Sequence, residues 1–117
     1  MTQDASGPDR TGQTAVIFAS QRRMADGEPA DEAGYLIAAE RMATLAAAQP
    51  GYRGLEAARG ADGYGVTVSY WADDAAARAW RDQAEHAATR DAGRAHWYDA
   101  YTLTVATVGR FYRWDRG

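Results

Sequence analysis

The sequence predicts an α+β fold, a four-stranded antiparallel sheet with two helices on one face. Three observations predict it. Short apolar runs rich in β-branched and aromatic residues alternate with longer stretches whose apolar residues recur every three or four positions. Their order is strand, helix, strand, strand, helix, strand, the split βαβ arrangement of ferredoxin-like folds. The chain has 117 residues, 46% hydrophobic and 25% charged, the size and composition of one globular domain with one core.

Residues 1–13 (MTQDASGPDRTGQ) are polar, with Gly and Pro, and read as a loose tail before a single domain over 14–117. They lack the basic start and apolar stretch of an export signal, so the expected location is cytoplasmic. Thr14–Ser20 (TAVIFAS) reads as a buried strand, and residues 21–30 as a polar loop around Gly27 and Pro29. Asp31–Gln49 reads as a helix. Its apolar stripe is Tyr35, Ala38, Met42, Leu45 and Gln49, widened by Leu36, Ala39, Ala43 and Ala46. Asp31 suits its start, and Pro50 and Gly51 stop it.

Tyr52–Gly60 reads as a second strand, and residues 60–63 (GADG) as a hairpin turn. Tyr64–Trp71 (YGVTVSYW) alternates apolar and polar residues as a half-buried strand does. Asp73 and Asp74 open a second helix with the stripe Ala76, Trp80, Ala84 and Ala87, and with i,i+4 pairs Arg78–Asp82 and Arg81–Glu85 outside. Gly93 ends or breaks it, and a short piece over residues 94–98 follows. Tyr101–Trp114 reads as a long last strand. The sheet face without helices would carry Phe18 or Ile17, Val66 or Val68, and Val105 or Val108. Both faces are therefore apolar, and the open one calls for a second copy, giving a two-fold homodimer.

Composition excludes several functions. The net charge is −3, which leaves no positive field for a nucleic-acid backbone. No run approaches the ~20 apolar residues that span a bilayer. All 13 basic side chains are arginine, so a lysine Schiff base and a Walker loop are absent. The chain has no cysteine, hence no disulfide, thiolate nucleophile or Cys-ligated metal. None of its three serines sits in G-x-S-x-G, and there is no G-x-G-x-x-G. The two histidines, His86 and His96, are ten positions apart without metal-ligand spacing, so no metal site is expected.

His86 lies six positions past Trp80, about 240° around a continuous helix and off its apolar stripe. On one reading it is a surface residue beside Asp82 and Arg90. On the other the helix kinks near residues 87–90 and turns it into a pocket, where a histidine exchanges protons near neutral pH. His96, between Ala95 and Trp97, reads as core or rim packing. Tyr70, Trp71, Trp80, Trp97, Tyr98 and Tyr101 lie at element ends. Gathered there, they would line a flat apolar pocket suited to a polycyclic or porphyrin ligand.

A family resemblance enters on several short motifs. They are Gln49-Pro-Gly-Tyr52, residues 62–71 (DGYGVTVSYW), Trp80-Arg81, Glu85-His86, Gly93-Arg94, Trp97-Tyr98 and residues 110–114 (RFYRW). Over residues 14–114 the chain resembles the antibiotic biosynthesis monooxygenase superfamily of dimeric α/β barrels, above all its small stand-alone branch associated with polyketide biosynthesis. The resemblance implies a homodimer. It also implies either oxygenation of aromatic polyketides without metal or flavin, or haem binding through a helix histidine. Cofactor-free members use a helix with an Asn, a Trp and a proton-handling group. Trp80 matches the Trp, and His86 falls near the proton-handling position. The Asn has no match, since the chain contains none. Haem degraders also rely on an Asn and space their Trp and His further apart than 80 and 86.

The resulting expectation is an oxygenase without cofactor that acts on a planar aromatic molecule. His86 and Trp80 are catalytic, and Tyr70, Trp71, Arg94, Trp97 and Tyr98 bind the substrate, with Arg94 balancing an anion. The alternatives are a haem protein with His86, or second His96, as axial ligand, and a non-catalytic dimeric binding domain.

Overall fold

The computed structural model describes residues 9–117, apart from the side chains of Ala84 and Glu85. Residues 1–8 of the expected tail lie outside the described residues. Residues 9–13, also expected to be loose, are tied to the sheet. The Gly12 N–H donates to the Val108 carbonyl at 2.8 Å, the Val108 N–H to the Gln13 carbonyl at 2.9 Å, and Arg10 to the Arg53 carbonyl at 2.9 Å.

Strand β1 (Thr14–Arg22) runs through the centre of the sheet. A two-rung hairpin, β2 (Met24–Ala25) with β3 (Glu28–Pro29), occupies the expected loop. Helix α1 (Glu32–Ala47) is followed by β4 (Tyr52–Arg59) and β5 (Tyr64–Trp71). The expected second helix is two helices, α2 (Asp74–Asp82) and α3 (Ala84–Ala92), continued by a wide π turn over Gly93–Trp97. Strand β6 (Tyr98–Thr107) closes the order β4-β5-β1-β6, antiparallel throughout. This is the ferredoxin-like arrangement that the sequence predicts.

Local chemistry accounts for the boundaries. Asp31 caps α1 through the Gly34 N–H and tolerates a left-handed φ of 49°. Asp73 caps α2 through the Ala76 N–H at 2.8 Å. Gly51, at φ 84°, lets the turn after α1 approach α2 so closely that a Cβ there would lie 2.6 Å from the Ala76 methyl. Strand β6 is shorter than the expected strand to Trp114 and starts three residues earlier. It pairs with β1 from Arg22↔Tyr98 to Thr14↔Thr107, so the ladder stops where β1 begins. Val108 still bonds residues 12 and 13, but residues 109–117 lie outside the sheet, and Tyr112 is 82% exposed. Arg78 bonds backward to Asp74 at 2.6 Å, rather than forward to Asp82 at the helix end. The expected partner of Arg81, the Glu85 side chain, lies outside the described residues.

The core lies between the sheet and α1 and α2. Ala46, Trp71, Ala77 and Trp80 are buried there, against Val16, Met42, Leu45 and Tyr52. Tyr35, Ala38, Met42, Leu45 and Gln49 face inward as expected, but Leu36, Ala39 and Ala43 do not widen the stripe and stand exposed. Register assigns the two faces. Val16, opposite Ser69 and Val105, lies on the helix side, with Phe18, Trp71 and Leu103. Ile17, opposite Val68 and Thr104, lies on the open side with Val66 and Tyr70. Val105 therefore leaves the open face expected for it, and Val108 lies past the end of the sheet. Among the described residues no helix is long and apolar enough to cross a membrane.

Candidate active site

Four rings form a ladder on the helix side. Tyr52 meets Trp71 edge-on with centroids 5.7 Å apart, Trp71 stacks on Trp80 at 5.9 Å, and Trp80 stacks on His86 at 4.3 Å and 20°. Trp71 is 0% exposed, and its indole N–H donates to Ser69 Oγ at 2.9 Å, so the lower end of the ladder is fixed. Trp80 closes α2. His86 lies in the first turn of α3, which parts from α2 because Gln83 is extended, with φ −63° and ψ 133°. The helix thus bends between the two residues, at Gln83 rather than at residues 87–90. His86 is not the solvated residue of the first reading: it lies half-buried on Trp80.

The ring's chemistry follows from one bond. His86 Nδ1 lies 3.0 Å from the Trp80 carbonyl oxygen. A carbonyl only accepts, so Nδ1 carries the hydrogen and Nε2 of the neutral ring keeps its lone pair. Burial holds the imidazole below its ordinary value. The bond to Trp80 pulls it upward, and the charges of Arg90 and Arg81 push it further down. His86 is accordingly neutral at neutral pH and able to accept a proton at Nε2.

Arg90 lies one turn beyond His86 on the same helix face. It bonds the Arg81 carbonyl at 3.2 Å, while its buried Nε–H has no partner among the described residues. A buried unpaired donor is costly and marks a place where an oxygen belongs. Beyond the ladder the helix side of β6 is bare. Leu103 is 45% exposed and Val105 52%, although register puts both on the face where Trp71 and Trp80 pack. Leu103 and Val105 thus leave an apolar surface on the helix side of β6.

The other expected site residues lie elsewhere. Tyr70 is on the opposite face from Trp71, because neighbours in a strand alternate. Arg10 covers its ring at 3.9 Å and its hydroxyl donates to Glu56 at 3.2 Å, so it does not join the ladder. Trp97 and Tyr98 belong to a second cluster with Phe18, Tyr35 and Tyr101. The Trp97 indole donates to Asp31 at 3.0 Å. Burial pushes the Tyr98 phenol up, and its bond with Tyr35 adds to that. Arg94 is exposed, with Nε donating to the Tyr101 hydroxyl at 2.6 Å. Among the described residues no ring contact joins this cluster to the ladder. His96 is exposed in the π turn.

Sequence reasoning missed Gln83, Arg90, Leu103 and Val105 as site residues. Gln83 lies three positions before His86, the spacing of a helix cap, but glutamine is not among the common caps. Leu103 and Val105 needed the phase of the β6 ladder. Among the described residues no three acidic or histidine side chains gather as a metal site.

The profile of the family described as antibiotic biosynthesis monooxygenase matches residues 19–92. YqjZ of Bacillus subtilis, described as uncharacterized, is 47% identical over 96 residues, covering 82% of this chain and 79% of its own. A variant of SnoaB from Streptomyces nogalater, a cofactor-independent oxygenase, superposes with a TM-score of 0.71 at 19% identity, over 86% of this chain and 97% of that one. Rv0793 of Mycobacterium tuberculosis gives 0.67 at 19%, over 81% and 93%. These structural likenesses speak for the fold. With 74 consecutive residues matched to the profile and YqjZ so similar, the chain belongs to the antibiotic biosynthesis monooxygenase family.

Proposed function

We propose that the protein is an oxygenase that works without a cofactor on a planar, electron-rich aromatic molecule whose acidic CH₂ lies between aromatic rings, across the central ring from a carbonyl, as in an anthrone-type polyketide. The observation that carries this reading is the His86 ring, stacked on Trp80 with Nδ1–H on a backbone carbonyl and, among the described residues, no hydrogen-bond partner at Nε2. The flat substrate lies along Leu103 and Val105 with Trp80 at its end. Nε2 removes a CH₂ proton, and the charge passes into the ring system and its carbonyl oxygen, which bonds the unpaired Arg90 Nε–H. Arg90 thus takes the anion-balancing role that the sequence suggested for Arg94. The carbanion reduces O₂ and combines with it to a hydroperoxide. Loss of the second proton, with cleavage of the O–O bond, yields a carbonyl and water, so CH₂ and O₂ become C=O and H₂O. SnoaB, of the same fold, is described as cofactor-independent, which supports the absence of a cofactor.

The same Nδ1–H bond favours a second reading, since histidines that ligate a metal through Nε2 hold the other nitrogen in this way. His86 would then hold haem, which supplies an iron centre for oxygen chemistry, and Arg90 would pair with an acidic edge of the macrocycle. We further infer that a second copy covers the open sheet face of Ile17, Val66 and Val68, opposite the site, so that each copy keeps its own His86.

Oxygen uptake with an anthrone-type substrate, alongside a hemin titration, tests these readings. Under the first, His86→Ala lowers uptake by about 100-fold or more. Full activity of His86→Ala refutes the assigned role. A Soret shift abolished by His86→Ala, without uptake, decides for haem. Neither response leaves a non-catalytic binding domain.

A further inference from the structure

Trp80 and His86 stack because the helix breaks between them, and one residue makes the break. The extended backbone of Gln83 withdraws residue 84 from the helical ladder. The Gln83 N–H turns back to the Trp80 carbonyl at 3.2 Å, and its side-chain Oε1 accepts the His86 N–H at 2.9 Å. In a continuous helix the Trp80 carbonyl would take the amide of residue 84. Here it also takes the imidazole Nδ1–H, so the side chain of His86 stands in for a missing rung.

Without that cap the segment has reason to form one helix. Residues 74–92 (DAAARAWRDQAEHAATRDA) are rich in alanine and contain neither Gly nor Pro. A single helix would carry His86 about 240° around the axis from Trp80 and leave its ring without the carbonyl.

We propose that Gln83 is the positioning residue of the site. Its side-chain oxygen on the His86 amide maintains the break, and the break locks His86 in the Nδ1–H tautomer. The inference rests on the reading of His86 as the residue that uses Nε2.

The test is long-range proton–nitrogen correlation spectroscopy of the imidazoles in the isotope-labelled full chain, at a pH where they are neutral. His96 serves as internal control, and the His86 signals are those missing from His86→Gln. Wild type is expected to give the Nδ1–H pattern. Gln83→Met, similar in length but without the accepting oxygen, loses that pattern for the mixture of an unrestrained imidazole. Gln83→Glu, which keeps an accepting oxygen, restores it. A glutamine that merely stabilised the fold would lower the melting temperature and leave the tautomer unchanged. If Gln83→Met does not fold, Gln83→Ala against Gln83→Ser makes the same comparison through one oxygen. Nδ1–H in wild type and in the oxygen-free variant overturns this inference alone. A wild type in the Nε2–H form overturns the reading of His86 itself.

Discussion

His86 has a protonation state set by its neighbours, and that makes stability depend on pH. Burial lowers its folded value below the ordinary 6.5, so as the pH falls the unfolded chain takes up the proton first. The stability that this group contributes is whole above 6.5 and is lost as the pH drops through the lowered folded value. Melting temperatures measured between about pH 8 and pH 5 should therefore fall more steeply in wild type than in His86→Gln. An equal slope would mean that the ring is as solvated folded as unfolded. At this scale the sequence was only half legible. It pointed to Trp80 and His86 through their residue types and a family likeness that matches Trp80, brings His86 only near the proton-handling position and finds no Asn. It did not reveal where His86 points, because helical geometry applied across residue 83 gives the wrong side. It also grouped Tyr70 with Trp71, which the two-residue period of a strand forbids.

Among the elements, Arg22 is the tie. Its side chain is 0% exposed, and its guanidinium donates to Glu32 at 2.6 Å, the Ala30 carbonyl at 2.7 Å and the Trp97 carbonyl at 3.2 Å, while covering the Tyr35 ring at 3.7 Å. It thereby joins the end of β1, the start of α1 and the π turn. A lysine cannot reproduce a planar fork with three such bonds. Arg22→Lys should cost about 2 kcal/mol in denaturant unfolding by leaving buried carbonyls unpaired. An unchanged midpoint would show that water replaces those bonds. The order of elements and the cores of α1, β1 and β5 were legible, because apolar periodicity reports which faces are buried. The length of β6 was not. Its residues remain strand-like past Thr107, but a strand ends where its partner does, and that partner, Thr14, lies 93 positions away in the chain.

At the scale of the whole molecule, the inferred association rests on the open face of the sheet. Ile17, Val66 and Val68 lie there without a helical cover, and a charge among them opposes any second sheet. Sedimentation of wild type should give a two-chain particle. Val68→Glu should give one chain with unchanged far-UV circular dichroism; a single-chain wild type, or a two-chain variant, would sink the dimer. The fold was the most legible level of all, because it depends on many weak local preferences that agree.

Strand β6 is the margin of the sheet, and in the proposed reading it is also a wall of the site. A substrate lying along Leu103 and Val105, as proposed, would reach them from this edge. Entry over an open sheet edge would need no gating motion, so binding would be expected to speed up in proportion to substrate concentration without a plateau.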